Sequence, residues 1–284
     1  MKLCRFGPPG AERPGVALAD GSHLDVSLFG EDYGERFFGS DGPHRLAEWM
    51  RAHPEECPPV TPGARLGPCI ERPCKIVGIG RNYRAHAAEV GGDAPSEPIL
   101  FMKAPSALSG PYDDVLLPPG STQTDWEVEL AVVIGRSARH VSRERALEHV
   151  AGYALFNDYS ERSFQRDRGG QWTKGKSADS FAPIGPYLVT DGVEPAAVEL
   201  WLGVNGVERQ RAFTHQMLFD VPALVAYVSE FMTLLPGDVI ATGTPEGVGS
   251  GAQPPVFLRA GDVVEFGATG LGTARQRVRE WSRS

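Results

Sequence analysis

The stretch that most constrains the fold is DWEVELAVVIG, residues 125–135, which reads as a buried strand that carries two acids. Side chains two residues apart on a strand point to the same face of the sheet. Trp126 and Val128 therefore begin one face, which continues through leucine, valine and isoleucine. Glu127 and Glu129 begin the other face, which continues into alanine and valine. The fold must accommodate two neighbouring carboxylates at the start of an apolar sheet face.

Two arrangements could accommodate these carboxylates. An exposed sheet edge is the common one, because acidic side chains are mostly solvent-accessible. The continuation of the same face into apolar residues argues against it and predicts that this face runs into a covered region. Burying like charges is costly unless they are paired or bind a metal. Oxygen ligands favour Mg²⁺, Mn²⁺ or Ca²⁺ over Zn²⁺, so the candidate partner is a hard divalent cation.

A third acid follows the next predicted strand, in the segment AGYALFNDYSER at residues 151–162. Asp158 lies where this strand gives way to a polar loop. If the two strands are neighbours, its carboxylate can face Glu127 and Glu129. The alternative role is that of an ordinary turn acid. A site of three carboxylates would leave coordination positions open for water and for a bidentate substrate.

The overall charge and hydropathy narrow the class of partner. The chain has a formal net charge of -8 and a pI near 5.4, which argue against nucleic acid as a main partner. No run approaches the roughly 18 apolar residues that span a bilayer, and the N-terminus lacks the apolar region of a secretory signal. We therefore expect a cytoplasmic protein without membrane association. Its four cysteines are expected to be reduced thiols, with a metal knot or disulfides as the alternatives.

The rest of the chain predicts many short strands and few helices. Apolar runs such as KIVGIG, EPILFMK and HVAGYALFND alternate with turns, in keeping with a content of 34 glycines and 24 prolines. One predicted helix is SRERALEHV, for which Ser142 is a plausible N-cap. Another is VPALVAYVSEFMTL, which begins at Val221 and has apolar residues at helical spacing through Phe231 and Met232.

The proline-rich segment CPPVTPG, residues 57–63, divides the chain. Before it, short strands and the helix HRLAEWMRA predict a small N-terminal α/β module over residues 1–70. After it, the strand-rich pattern predicts one large domain of the barrel or rolled-sheet kind over residues 71–284. The predicted class is therefore α+β and rich in β-structure.

Four motifs occur in the order found in the fumarylacetoacetate hydrolase family. They are DWEVELAVVIG, GYALFNDYSERSFQ, GKSADSFAPIGP and GDVIATGTPEGVG, and the likeness runs from about residue 72 to the end. The segment RGGQWTKGKSADSFAPIGP further resembles the subgroup of bacterial 2,4-diketo-3-deoxy sugar acid hydrolases and acylpyruvases. The resemblance implies a mixed β-sandwich or β-roll around a metal site, normally in a homodimer. The first 70 residues resemble the variable N-terminal module that many members carry.

The resemblance also implies roles for residues at matching positions. The family's ligands for Mg²⁺ or Mn²⁺ correspond to Glu127, Glu129 and Asp158. The active-site lysine of the family corresponds to Lys176 in GKS. The residues that bind the oxo acid, including the threonine that holds its carboxylate, correspond to Arg162, Gln165 and Thr244.

A histidine and a glutamate three residues apart, His86 and Glu89, lie in the predicted helix of RNYRAHAAEV. Residues at this spacing share one face of a helix. Taken alone, the pair would suit a surface helix with an incidental histidine and glutamate. Acylpyruvase-like family members carry the pattern Y-x-x-H-x-x-E here, however, and this resemblance includes Tyr83 as a residue beside the substrate. It implies that the pair activates water from a lid, which the following loop GGDAPSE would allow to move.

Together with these residues, the resemblance implies a metal-dependent hydrolase that cleaves a C–C bond of 2,4-diketo acids and releases pyruvate and a carboxylic acid. In this hypothesis Glu89 orients His86, which removes a proton from water. Lys176 and Gln165 then stabilise the oxyanion. The alternatives are oxaloacetate decarboxylation, oxo-acid isomerisation or tautomerisation, and a non-catalytic metal-binding protein. His215 lies where the family has a variable loop, and its role is left open.

Overall fold

The structure is a computed structural model that describes residues 1–282 of the chain. The framework consists of short strands, as the alternation of apolar runs with glycine and proline predicts. The strands are β1 (Lys2–Phe6), β2 (Arg13–Ala17), β3 (His23–Asp25), β4 (Ile76–Gly80), β5 (Ile99–Lys103), β6 (Leu108–Ser109), β7 (Val115–Leu117), β8 (Thr124–Asp125), β9 (Val128–Ile134), β10 (Val150–Asn157), β11 (Ser160–Glu161), β12 (Ala182–Val189), β13 (Glu199–Val204), β14 (Val207–Phe213), β15 (Val239–Ala241), β16 (Val263–Ala268) and β17 (Gly272–Glu280).

The helices are short and lie between these strands. The α-helices are α1 (Glu35–Gly39), α2 (Gly42–Ala52), α3 (Arg84–Glu89), α4 (Arg162–Arg166), α5 (Thr173–Lys176) and α6 (Val221–Phe231). Single turns of 3₁₀-helix occupy Ser27–Phe29, Pro54–Glu56, Pro105–Ala107, Thr214–Gln216 and Gly249–Gly251, and a longer one occupies Arg143–His149.

The acidic strand β9 lies inside the main sheet. Within the described range this sheet has the order β3-β2-β1-β12-β10-β9-β15-β4-β5, with β6 paired beside β12. β9 is antiparallel to β10 on one side and to β15 on the other, and all of its residues are buried. The prediction of a buried strand is therefore confirmed, and the exposed-edge alternative is wrong.

A second sheet, with the order β14-β13-β16-β17-β7, packs against the main one. Strands β13 and β16 contact β9, and β17 contacts β12. Leu130 of β9 joins Leu202 and Phe266 of the second sheet in a single buried apolar cluster. Each such side chain stabilises the fold by roughly 1.5–3 kcal/mol. The predicted α+β class, with packed mixed sheets rich in β-structure, is confirmed.

The N-terminal segment continues the main sheet. β1 lies antiparallel to β12, with Leu3 opposite Leu188, and β2 and β3 extend the same sheet outward. Arg5 ties this segment to the following chain through an ion pair with Asp32 at 2.8 Å and a hydrogen bond to the carbonyl of Ile70. The division at residue 70 stays a prediction, and strands from both sides of it share one sheet.

Two predicted helices differ from expectation in detail. SRERALEHV forms a 3₁₀-helix instead of an α-helix, and Ser142 precedes it in an extended conformation without a side-chain capping bond. α6 begins as predicted, because the Asp220 carboxylate accepts from the amide of Ala223 at 3.0 Å. Its apolar face is narrower than predicted, since Phe231 is 61% exposed and packs on Tyr227. No helix within residues 1–282 combines the length and the apolar character needed to cross a membrane.

The cysteines are free thiols, as expected. Cys4, Cys57 and Cys69 are buried, and Cys74 is exposed. Burial raises the pKa of the Cys4 thiol to about 12, so it stays protonated and unreactive at neutral pH.

Candidate active site

The antiparallel pairing of β9 with β10 brings the three acids together. Phe156 lies opposite Glu129 in this pairing, and the amide of Asp158 donates to the carbonyl of Glu127 at 2.8 Å. One carboxylate oxygen from each of Glu127, Glu129 and Asp158 lies within 4.8 Å of the others, and all three residues are buried. The sequence-predicted acids therefore converge on one point at the end of two neighbouring strands.

Two of these acids already have cationic partners. The Lys176 ammonium lies 2.6 Å from Glu127 and 2.5 Å from Asp158, and Arg162 lies 2.6 Å from Glu127. Burial alone would raise the pKa of Glu127, but the positive charges of Lys176 and Arg162 outweigh it and lower that pKa. Glu127 is therefore a carboxylate at neutral pH without any further ligand.

Glu129 is in a different position. Its carboxylate accepts from the amide of Gly243 at 2.8 Å, and no lysine or arginine in the described part of the chain forms an ion pair with it. Burial raises its pKa, and the neighbouring charges of Asp158 and Glu127 raise it further. Glu129 is the acid whose charge most needs an additional cation.

The donor set fits a hard divalent cation. Four buried carboxylates, from Asp125, Glu127, Glu129 and Asp158, face three buried cationic side chains, from Lys103, Arg162 and Lys176. With Glu129 ionised, one negative charge is in excess, and the free acceptors are carboxylate oxygens. The structure thus has a candidate acidic metal site.

A cavity of about 220 Å³ opens onto this site. Its wall includes seven of the sequence-predicted residues: His86, Glu127, Glu129, Arg162, Gln165, Lys176 and Thr244. Tyr83, Glu89 and Asp158 are not part of this wall. The structure therefore brings most of the predicted residues around one space large enough for a small acid.

The predicted histidine–glutamate pair forms in α3. His86 Nδ1 lies 3.3 Å from Glu89 Oε2, and His86 is buried beside the cavity. The Glu89 carboxylate also accepts from the amide of Gly247, at 3.0 and 3.2 Å. Gly247 has a φ of +99°, and a Cβ there would meet the carbonyl of Arg209, so only glycine suits this position. The predicted movement of a lid stays a prediction.

Arg162 and Gln165 lie on α4, one turn apart. The Arg162 guanidinium donates to Asp125 at 2.9 Å and, through Nη1, to Gln165 Oε1 at 3.2 Å. Gln165 therefore accepts with its oxygen and has its amide nitrogen available on the cavity wall.

Glu161 fixes the start of α4. Its carboxylate accepts from the Ser163 hydroxyl at 2.5 Å and from the Thr124 hydroxyl at 2.9 Å, in addition to Ser121. Burial alone would raise its pKa, but these hydrogen bonds lower it. Because the folded pKa lies below the ordinary value of 4.5, the carboxylate stabilises the fold above about pH 4.5.

We expect Glu161→Gln to lower the free energy of unfolding by about 1–3 kcal/mol at pH 7, because charge-assisted hydrogen bonds are lost. This difference from the wild type should shrink as the pH falls through the lowered folded pKa, where the wild-type carboxyl also becomes neutral. Urea unfolding of both proteins at pH 7 and near pH 3.5 measures it. A difference that grows toward acid pH would contradict the assignment.

Three predicted residues have surroundings that the sequence could not indicate. Tyr83 is buried, and its hydroxyl has no hydrogen-bond partner within residues 1–282. The Thr244 hydroxyl donates to the carbonyl of Val128 at 2.9 Å and accepts from Gln210 at 2.8 Å. Its role in carboxylate binding stays a prediction, since both contacts occupy the hydroxyl. His215 is exposed and outside the cavity wall.

Sequence reasoning missed two buried residues of the site. Lys103 donates to Asp158 at 2.5 Å, and its only signal was a lysine that ends the apolar run ILFMK. Asp125 accepts from Arg162 and from the amides of Gly249 and Ser250, at 2.7 and 3.0 Å. Its position before β9 gave no indication that its carboxylate would bind the backbone of the loop that contains Gly249 and Ser250.

The chain is similar to proteins of known family and structure. The family model for the C-terminal domain of fumarylacetoacetate (FAA) hydrolase matches residues 75–279. A Burkholderia multivorans protein named only as a hydrolase is 49% identical over 282 residues, which are 98% of this chain and 99% of that one.

Two solved structures cover nearly the whole chain. Maleylpyruvate hydrolase from Sphingobium sp. SYK-6 is 33% identical, with a TM-score of 0.81 and coverage of 99% of this chain and 100% of that one. The 5-carboxymethyl-2-hydroxymuconate delta-isomerase of Mycobacterium smegmatis is 34% identical, with a TM-score of 0.78 and full coverage of both chains.

Proposed function

Because the chain belongs to the fumarylacetoacetate hydrolase family, we propose that it is a divalent-metal-dependent hydrolase of 2,4-diketo acids (acylpyruvates). Water would cleave the bond between C3 and C4 and give pyruvate and a carboxylic acid. The observation that supports this proposal is the meeting of two groups at one cavity. Glu127 and Glu129 of the acid trio line the cavity, and so does His86 of the His86–Glu89 pair.

Glu127, Glu129 and Asp158 would hold the cation, which we propose to be Mg²⁺ or Mn²⁺. When bound, such a cation acts as a Lewis acid that stabilises negative charge developing on the oxygen of a 2-oxo acid. Carboxylate oxygens are the ligands that hard divalent cations prefer, and this donor set supports a divalent ion. Its binding would leave the cluster with a net positive charge, which suits an anionic substrate.

His86 would act as the general base. Since its Nδ1 faces Glu89, Nε2 is the nitrogen left to take a proton from water. The oxygen of that water bonds to C4, and the C3–C4 electron pair passes to the pyruvate fragment. The proton held by the histidine then returns to C3, so that atoms and charge balance.

Lys176 would act as a hydrogen-bond donor. Burial alone would lower its pKa, but Asp158 and Glu127 outweigh this and raise it, so the side chain stays an ammonium. Two of its three N–H groups donate to those acids, which leaves one for the substrate. The amide nitrogen of Gln165 supplies a second donor for an oxyanion.

An oxo-acid isomerase is a second candidate. The similarity to the M. smegmatis delta-isomerase favours it, because hydrolases and isomerases share this fold at similar sequence identity. A histidine–glutamate pair oriented for water activation favours hydrolysis, since isomerisation needs no attacking water. Oxaloacetate decarboxylation likewise needs no attacking water.

Pyruvate release tests these alternatives. We expect the protein to release pyruvate from short acylpyruvates in the presence of Mg²⁺ or Mn²⁺, as followed with lactate dehydrogenase, and to lose this activity with a chelator. Oxaloacetate serves as the comparison substrate, with its spontaneous decarboxylation subtracted. Release of pyruvate from oxaloacetate but from no acylpyruvate would identify a decarboxylase. A shift in the absorbance band of the substrate without release of pyruvate would identify an isomerase. Metal binding without any turnover would overturn the proposal in favour of a non-catalytic protein.

A further inference from the structure

Lys103 ends β5, the last strand in the order of the main sheet, and it is fully buried. A lysine is almost never fully buried unless its ammonium is paired. This ammonium donates to the Asp158 carboxylate at 2.5 Å and to the carbonyl of Tyr159 at 3.2 Å. Lys103 lies outside the cavity wall, so any effect that it has on the site passes through other residues.

The two oxygens of Asp158 have separate partners. Lys103 donates to Oδ1 and Lys176 donates to Oδ2, each at 2.5 Å. A carboxylate oxygen can accept more than one bond, so both oxygens keep acceptor capacity. Donors on opposite oxygens fix the plane of the carboxylate, because a rotation about its Cβ–Cγ bond would break at least one of these bonds. Asp158 is thereby held with one oxygen within 4.8 Å of the ligand oxygens of Glu127 and Glu129.

The end of β5 also contacts the segment that carries Lys176. The Phe101 ring faces the Lys176 ammonium, with 4.7 Å between Nζ and the ring centroid. The amide of Ala104 donates to the hydroxyl of Ser177 at 2.9 Å, which holds the residue after the lysine. One strand end therefore sets the position of Asp158 relative to Lys176.

We propose that Lys103 is a positioning residue for the cation site, which turns the Asp158 carboxylate toward the cation and keeps it from rotating onto Lys176. This inference rests on the cation site of the proposed function. Without Lys103, Lys176 would be the remaining ammonium partner of Asp158, and the carboxylate could place both oxygens on it. The cation would then lose one of its three ligands. Groups that orient a ligand commonly contribute about 10–100-fold to metal affinity.

The sign of the expected effect separates orientation from charge. Loss of an ammonium makes the buried cluster more negative, and Coulomb attraction alone would then strengthen the binding of a cation. Loss of orientation weakens the binding, because a ligand oxygen turns away. We expect the loss of orientation to prevail, since a ligand oxygen contacts Mg²⁺ directly at about 2.0–2.1 Å, whereas the ammonium lies on the other side of a carboxylate.

The variant Lys103→Met tests this expectation, because methionine is apolar and has no N–H group to donate. A titration with Mn²⁺, in which electron paramagnetic resonance measures the free ion, gives Kd without any turnover. We expect the Kd of the variant to be about tenfold or more above that of the wild type. An unchanged or a lower Kd would overturn the proposal.

The matched control is Lys75→Met. Lys75 directly precedes β4 in the same sheet, pairs with the buried Asp238 at 2.5 Å, and lies outside the cavity wall. Its loss should also lower the free energy of unfolding, but the Kd for Mn²⁺ should stay within about twofold of the wild type. An equal weakening in both variants would show that lost stability, and not the orientation of Asp158, weakens the site, and would overturn the proposal.

A second variant, Lys103→Gln, covers the case in which Lys103→Met does not fold. Its amide keeps an N–H group but is one bond shorter, so it can restore only part of the hydrogen bond to Asp158. We expect a Kd about threefold to tenfold above that of the wild type. Wild-type affinity in this variant would overturn the proposal as well.

The inference and the proposed function can fail separately. Pyruvate release by the wild type, together with wild-type Mn²⁺ affinity in Lys103→Met, would keep the hydrolase and overturn the role of Lys103. Weaker Mn²⁺ binding in Lys103→Met, without pyruvate release from any acylpyruvate by the wild type, would support the role of Lys103 and overturn the hydrolase. A wild type that binds no Mn²⁺ would overturn both.

Discussion

The Glu129→Gln substitution should lower kcat/KM by about 10³-fold and remove the stabilisation by Mg²⁺, while leaving the metal-free protein at least as stable as the wild type. The fall in rate reflects the loss of a Lewis acid, which contributes several kcal/mol to transition-state stabilisation. The retained stability follows from the surroundings of Glu129. Its carboxylate is buried next to two other acids and accepts only from the amide of Gly243, which glutamine can also satisfy through its oxygen.

The Glu127→Gln substitution is the matched control, because it should have the opposite effect on the metal-free protein. Glu127 balances Lys176 and Arg162 at 2.6 Å from each, so its loss leaves buried cations short of a counter-charge. We expect a loss of about 1–3 kcal/mol, less than for an isolated buried pair, since Asp158 and Asp125 remain as partners. Activity should fall in both variants.

Thermal unfolding with a chelator and with Mg²⁺, together with kcat/KM, measures all of these effects. In the wild type, Mg²⁺ at 100 times its Kd should add about 2.7 kcal/mol, and neither variant should show this gain. If the metal-free Glu129→Gln variant unfolds at a temperature well below that of the metal-free wild type, Glu129 is an ordinary structural acid. Turnover close to that of the wild type would show that the trio is not the metal site.

The acid trio could be predicted from the sequence because its geometry is local. Glu127 and Glu129 are two apart at the start of β9, and Asp158 directly follows β10, so antiparallel pairing of neighbours is sufficient to bring them together. The long apolar runs likewise identified the strands of the main sheet. Periodicity thus accounts for many strands of the framework and for the two glutamates on one face, whereas the role of Asp158 also depended on the family resemblance.

The rest of the site depends on contacts between segments distant in sequence. Lys103 reaches Asp158 across 55 positions, and the amides of Gly243 and Gly247 reach Glu129 and Glu89 across more than 100. No local pattern encodes such contacts, because they arise from the order of strands in the finished sheet.

Phe231 and the 3₁₀-helix at Arg143–His149 show a second limit. Apolar spacing correctly predicted α6, but the face it buries is set by what packs against it, and Phe231 falls outside that contact. At Ser142 the residue type suited an N-cap, yet its side chain makes no capping hydrogen bond. Local propensity predicted the presence of both segments, and tertiary contacts decided their details.

The second large effect is expected from His86→Asn, which should lower kcat for pyruvate release by about 10²–10⁴-fold, the usual contribution of a general base. Asparagine is a smaller polar side chain without a titratable nitrogen. The affinity for Mg²⁺ should stay within about threefold of the wild type, because His86 is not part of the acid trio. Steady-state kinetics and a metal titration of the same preparation measure the two effects separately.

Glu89→Gln should lower kcat less, by about 10–10²-fold, because the amide oxygen can still accept from Gly247 while a neutral amide replaces the carboxylate that orients His86. Since Glu89 acts only through His86, the double variant should be no slower than His86→Asn alone. If the losses in activation free energy of the two single variants add in full in the double variant, the two residues act independently. Near-normal pyruvate release from His86→Asn would show that another residue is the general base. A variant that still isomerises an oxo acid but no longer releases pyruvate would show that the pair is needed for the attack of water and not for isomerisation.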